Sequence, residues 1–221
     1  MLKAFLISML CLAVPGLYAE AAVNHSHIAP GPVQTGTILV LGDSLSSAHH
    51  IATDAGWVHL LEQRLQAAAT PRNVVNASIS GETTAGGLAR LPKLLTEHRP
   101  ALVLVELGAN DGLRGLPLAE IRTNLHGILA ANRTGGARSV LLGIELPINY
   151  GPQYRDGLRT LYRDLAQEFN APLVPFLLDG VATNPDLMQD DGLHPRAEGE
   201  PRVLDNVWKA LEPVLKAPPP G

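Results

Sequence analysis

The chain has 221 residues, 46% of them hydrophobic and 17% charged, with a formal net charge of −4. That length and apolar content suit one domain with a sizeable buried core. The mildly acidic balance, without any concentration of Lys and Arg, argues against a nucleic-acid partner, and the eight histidines fall in no metal-ligand spacing such as HExxH.

At the N-terminus, Lys3 precedes an apolar run over residues 4–14, which Pro15-Gly16 breaks. The run is too short to span a bilayer, and small residues follow at Ala19 and Ala21. Residues 1–21 therefore read as a signal peptide, and the mature chain is expected in the periplasm or secreted, without stable membrane insertion. Cys11, the sole cysteine, lies inside this segment. A mature chain without cysteine forms no disulfide and uses no thiolate chemistry. Residues 22–35, with Pro30, Gly31 and Pro32, read as a flexible lead-in, residues 36–215 as the folded domain, and the Pro-rich residues 216–221 as a disordered tail.

Residues 37–41 are almost wholly apolar, as in a strand covered on both faces. A helix is expected over 57–69, where Trp57, Leu60, Leu61, Leu65 and Ala68 share a face, then a strand over 74–77. Leu88, Leu91, Leu94 and Leu95 predict a helix over 88–98, ended by Pro100. Residues 101–107 form the strongest strand pattern. A helix over 118–131 closes at Thr134-Gly135-Gly136. A strand over 139–144, a helix over 154–169, a short strand over 172–176 and a closing helix over 203–215 complete the series. Strand and helix thus alternate five times, which predicts an α/β fold with a parallel sheet and helices on both faces. In such folds ligands bind beyond the carboxyl ends of the strands.

Four polar or glycine-containing segments sit at that edge. Gly42-Asp43-Ser44-Leu45-Ser46 follows the first strand and offers Ser44 as a nucleophile, with Ser46 and Ser47 as nearby rivals. Gly81 follows the second strand and can turn a backbone N–H toward a reacting atom. Asn110, after the third strand, carries an amide suited to a developing oxyanion. Asp191 stands three residues before His194, where a tight turn brings carboxylate and imidazole together. Asp190 is a rival at four residues. Leu113, Leu116 and Pro117, with Pro147, Ile148, Asn149 and Tyr150, follow the third and fourth strands and are candidate groove walls. Of these, Leu113, Ile148, Asn149 and Tyr150 are the candidate substrate contacts.

Together Gly42-Asp43-Ser44-Leu45-Ser46, Gly81, Gly108-Ala109-Asn110-Asp111 and Asp191-Gly192-Leu193-His194-Pro195 resemble the four blocks of the SGNH (GDSL) hydrolase family across essentially the whole domain. Asn110 to Gly115, Leu146 to Gly151 and Leu187 to Gly192 are similar in detail to its exported bacterial thioesterase I/lysophospholipase L1, or arylesterase, group. The resemblance implies a three-layer α/β/α sandwich, flavodoxin-like, with a five-stranded parallel sheet. It implies Ser44, Asp191 and His194 as the catalytic triad, and an oxyanion hole from Ser44, Gly81 and Asn110. Metal and cofactor are not implied. The activity it implies is hydrolysis of carboxylic esters and thioesters, including aryl esters, acyl-CoA and lysophospholipid, by a monomer acting on a small, lipid-like substrate. A carbohydrate O-deacetylase of the same superfamily and a non-enzymatic exported binding module are the alternatives. One departure is His49-His50, where this group carries an aromatic–glycine pair.

Overall fold

The computed structural model describes residues 36–67 and 72–216. The expected signal segment 1–21, the lead-in 22–35 and residues 217–221 lie outside the described residues, as do the last two residues of the helix expected over 57–69.

Five strands, β1 (Ile38–Gly42), β2 (Val74–Asn76), β3 (Leu102–Glu106), β4 (Arg138–Leu142) and β5 (Leu173–Val174), form one parallel sheet in the order β2-β1-β3-β4-β5. Around it lie α1 (Trp57–Gln66), α2 (Thr84–His98), α3 (Ala109–Leu113), α4 (Leu118–Thr134), α5 (Pro152–Phe169) and α6 (Glu200–Lys216). Among the described residues no helix is long and apolar enough to cross a membrane.

The apolar strands follow from burial on both faces. Ile38, Val40, Leu102, Leu104, Val140 and Leu142 point into one core with Trp57 and Leu61 of α1 and Val203, Val207 and Leu211 of α6. The alternate residues Leu39, Leu41, Val103, Val105 and Leu141 point into the other, with Leu91 of α2, Ile121, Leu125 and Ile128 of α4, and Leu158 and Leu165 of α5. This is the expected three-layer sandwich with its flavodoxin-like strand order. Each fully buried side chain of this size contributes about 1.5–3 kcal/mol relative to exposure.

Four elements differ from the sequence expectation. Helix α2 begins at Thr84 and not near residue 88, because Thr83 caps it by accepting from Gly86 N at 3.2 Å. Gly86 and Gly87 hide this first turn from a propensity reading. Gly87 lets the helix pack closely there: a Cβ would lie 2.4 Å from Leu107 Cδ1, which would have to move. Strand β5 has two residues, since Pro172 and Pro175 flank it and neither can donate a ladder hydrogen bond. The short helix α3 was not anticipated. Gly108, at φ +122°, turns the chain into it directly from β3. Helix α6 includes Lys216, one residue into the segment expected as a tail.

The order β2-β1-β3 means that the chain leaves β1 toward one side of the sheet and later returns on the other. The crevice between the carboxyl ends of β1 and β3 is the topological switch point, where this class of sheet binds ligands.

Candidate active site

Ser44 lies two residues beyond β1, at that crevice. The turn that carries it is tied on every side. Leu45 N donates to Asp43 Oδ1 at 3.0 Å, and Ser46 N and Ser47 N donate to Asp43 O at 3.3 and 3.1 Å. Trp57 Nε1 donates to Leu45 O at 3.0 Å, and Asn76 Nδ2 to Ser46 O at 2.8 Å. Beneath the turn, Glu106 Oε2 accepts from Asp43 N at 3.1 Å and from Ser46 Oγ at 2.8 Å. The rival hydroxyls are occupied elsewhere, Ser46 Oγ on Glu106 and Ser47 Oγ in a 2.9 Å hydrogen bond with Ser80 Oγ.

His194 arrives from the segment between β5 and α6. Asp191 closes its own turn there: Oδ1 accepts from Leu193 N at 2.9 Å and from His194 N at 3.1 Å, with Gly192 at φ +67°. The same carboxylate meets His194 Nδ1 through Oδ2 at 2.7 Å, and His194 Nε2 lies 2.9 Å from Ser44 Oγ. Burial raises the Asp191 pKa. The two backbone N–H donors, the His194 ring and its charge outweigh that and hold it at about 2. Asp190 points away, 97% exposed, and pairs with Arg196 at 2.6 Å. Gln189 Nε2 bridges the two loops, donating to His49 O and to Pro195 O at 2.8 Å each.

The other expected residues are placed as follows. Asn110 stands in the first turn of α3, and its Nδ2 donates both to Asp43 Oδ2 and to Glu82 O, each at 3.0 Å. Gly81 is exposed at φ +81°, and Arg114 Nη2 donates to its carbonyl at 3.2 Å. Among the described residues no protein group accepts from the N–H of Ser44 or of Gly81. The three donors therefore differ. Two backbone N–H groups are open, whereas the Asn110 amide must release one of its partners to reach a third.

An apolar pocket of about 230 Å³ opens beside Ser44 and His194. Leu45, Leu113, Ile144, Leu146, Pro147, Phe176, Leu178 and Leu193 form most of its wall, with Glu145 and Asn110 as its polar members beside the Ser–His pair. Of the expected substrate contacts, Leu113 lines this pocket. Ile148 is 83% exposed, and Ile148 and Asn149 are not in its wall. Tyr150 supports the wall from behind by donating to Leu113 O at 2.8 Å. Ile144, Leu146, Phe176 and Leu178 carried no signal separating them from core residues. The side chain of His49 lies against the triad, with its ring centroid 4.4 Å from that of His194 and 3.7 Å from that of His50. Partial burial and the neighbouring His194 and His50 hold His49 below the usual imidazole range, against the opposing pull of Asp191.

Residues 40–201 match the model of the GDSL-like lipase/acylhydrolase family. The chain belongs to that family. It is 46% identical over 214 residues to the esterase TesA of Pseudomonas aeruginosa, covering 97% of this chain and 100% of that protein. It is 44% identical over 179 residues to thioesterase 1/protease 1/lysophospholipase L1 of Escherichia coli K12, covering 81% of this chain and 85% of that one. A crystal structure of TesA superposes with a TM-score of 0.79 at 50% identity, over 80% of this chain and 99% of that one. With this membership and the Ser–His network, the chain is a serine hydrolase of the esterase and thioesterase type. A serine hydroxyl hydrogen-bonded to an imidazole that is itself held by a carboxylate is the arrangement from which an acyl group can be taken up and released.

Proposed function

We propose that the chain hydrolyses carboxylic esters and thioesters with apolar acyl groups, through an acyl-enzyme on Ser44. The observation that carries this reading is the Ser44–His194–Asp191 chain, at 2.9 and 2.7 Å, opening onto an apolar pocket. Ser44 Oγ attacks the carbonyl carbon as His194 Nε2 takes its proton. Asp191 keeps the ring in the orientation and tautomer that leave Nε2 free to accept. The Ser44 and Gly81 N–H groups and the Asn110 amide stabilise the oxyanion. His194 then gives its proton to the departing alcohol or thiol, and the same ring activates the water that releases the acid.

An apolar wall favours a lipid-like or aryl acyl group over an acetylated sugar, because burying unpaired hydroxyls costs free energy. Aryl esters, acyl-CoA and lysophospholipid are the substrate classes to compare. The positive start and apolar core of residues 1–21 support an exported enzyme, in the periplasm or secreted. The deciding experiment is a hydrolysis panel of short aryl esters, long-chain acyl-CoA, lysophospholipid and acetylated sugars, with Ser44→Ala as control and a serine-reactive phosphonate as label. Hydrolysis of the first three classes and labelling at Ser44 support the reading. Turnover of acetylated sugars alone, or a folded protein that neither labels nor hydrolyses, overturns it.

A further inference from the structure

Asp43 and Glu106 form a carboxyl pair beneath the nucleophile turn, and both are at zero exposure. The register explains the encounter: Glu106 ends β3 directly opposite Gly42 of β1, so its side chain rises under the turn that begins at Asp43. The space is tight, since a Cβ on Gly42 would lie 2.9 Å from Glu106 Oε2. The two groups are bonded differently. Asp43 uses both oxygens as acceptors, Oδ1 from Leu45 N and Oδ2 from Asn110 Nδ2. Glu106 accepts only through Oε2, while Oε1 is buried without a partner at hydrogen-bond distance. No Lys or Arg is hydrogen-bonded to either group among the described residues.

Two adjacent buried carboxylates without a countercharge cannot both stay ionised. We propose that the pair shares one proton, carried by Glu106, so that a neutral carboxylic acid braces the Ser44 turn while ionised Asp43 aims the Asn110 amide. Glu106 Oε1, buried without a partner, carries the proton, and the negative charge goes to Asp43, the group with two N–H donors. Glu106 is then a positioning residue. It acts through Asp43 on the turn and on Asn110 and touches no substrate.

The surroundings agree with this assignment. Burial and the charge of Asp43 push Glu106 well above the ordinary carboxyl range. Burial pushes Asp43 up to about 6, against the pull of Leu45 N–H, Glu106, Asn110 and His194. The remaining ionisable groups around the pair are Tyr162 from α5, fully buried with its hydroxyl donating to Leu107 O at 2.6 Å, and Asp111 from α3, held by Thr84. Both are neutral or negative, so neither favours ionisation of Glu106.

The inference rests on the proposed Ser44 chemistry for its kinetic consequence but not for the proton itself, and the test separates the two. The infrared difference between wild type and Glu106→Gln at neutral pH should contain a protonated carboxyl stretch contributed by wild type alone. Glu106→Gln, which keeps an acceptor and a neutral donor, should hold kcat/KM within about threefold, whereas Glu106→Ala should lower kcat about tenfold or more with little change in KM. Wild-type activity should fall on the alkaline side as Glu106 ionises, and Glu106→Gln should lose that limb. Absence of the band, or an alkaline limb unchanged in Glu106→Gln, would overturn the assignment. Should Glu106→Ala not fold, Glu106→Gln decides alone. Phosphonate labelling of Ser44 reports independently on the reaction, so failure of the hydrolase reading and failure of the shared proton give different results.

Discussion

Asn110 donates to Asp43 Oδ2 at 3.0 Å, and this bond joins the third sheet-edge segment to the first. With its second hydrogen on Glu82 O, the amide has no donor left for substrate until one of these contacts is released. An oxyanion, being charged, competes with the Glu82 carbonyl better than a ground-state ester does. Asn110→Ala should therefore lower kcat by about 10²–10³, with KM moving less. Steady-state kinetics on an aryl ester checks this. A rise in KM alone would reassign Asn110 to substrate anchoring.

Asp191 and Asp190 are adjacent, but only Asp191 meets His194. Asp191→Asn should lower kcat by about 10² or more, through a wrong tautomer of His194. Asp190→Asn removes an exposed ion pair with Arg196 and should leave kcat within about twofold. Comparable losses in two folded variants would contradict this division of roles.

The pocket wall predicts acyl selectivity. Leu113→Trp should fill the pocket and raise KM for long acyl chains about tenfold or more relative to acetyl esters. Ile148→Ser, at a side chain pointing into solvent, should leave the chain-length profile unchanged. A profile that follows Ile148 and ignores Leu113 would place the acyl group outside this pocket.

Glu200 offers a stability test remote from the chemistry. It is buried at the start of α6 and accepts from Trp57 N, the first amide of α1, at 2.8 Å. Burial raises its pKa to about 7, against the stabilising Trp57 N–H. A raised carboxyl contributes stability that is fully present below its unfolded value, near 4.5, and is lost as pH rises through about 7. The difference corresponds to about 3 kcal/mol. Denaturant unfolding at pH 5 and pH 8 should show wild type losing more stability than Glu200→Gln over that interval. Parallel losses would mean that Glu200 does not titrate there.

The local pattern of the sequence carried the alternation of strands and helices and the placing of Ser44, Gly81, Asn110 and His194 just after strands. Apolar runs, helical spacing and glycine turns are properties of a few neighbouring residues, and the parallel sheet follows from their succession. Spacing left Ser46 and Asp190 as open rivals. They were separated only when Glu106 took the Ser46 hydroxyl and Arg196 took Asp190. Of the candidate walls, Leu113 and Pro147 line the pocket and Ile148 and Asn149 do not, while Ile144, Leu146, Phe176 and Leu178 join it from other elements. In the sequence Glu106 is one polar residue within the apolar run 101–107. Its burial under the Ser44 turn depends on β1 and β3 being neighbours in register, a pairing of residues 64 positions apart (Gly42 with Glu106). Local chemistry chose the reacting groups. Their partners, the pocket and the buried carboxyl pair were decided by long-range strand pairing, because hydrogen-bond partners and desolvation depend on neighbours in space and not along the chain.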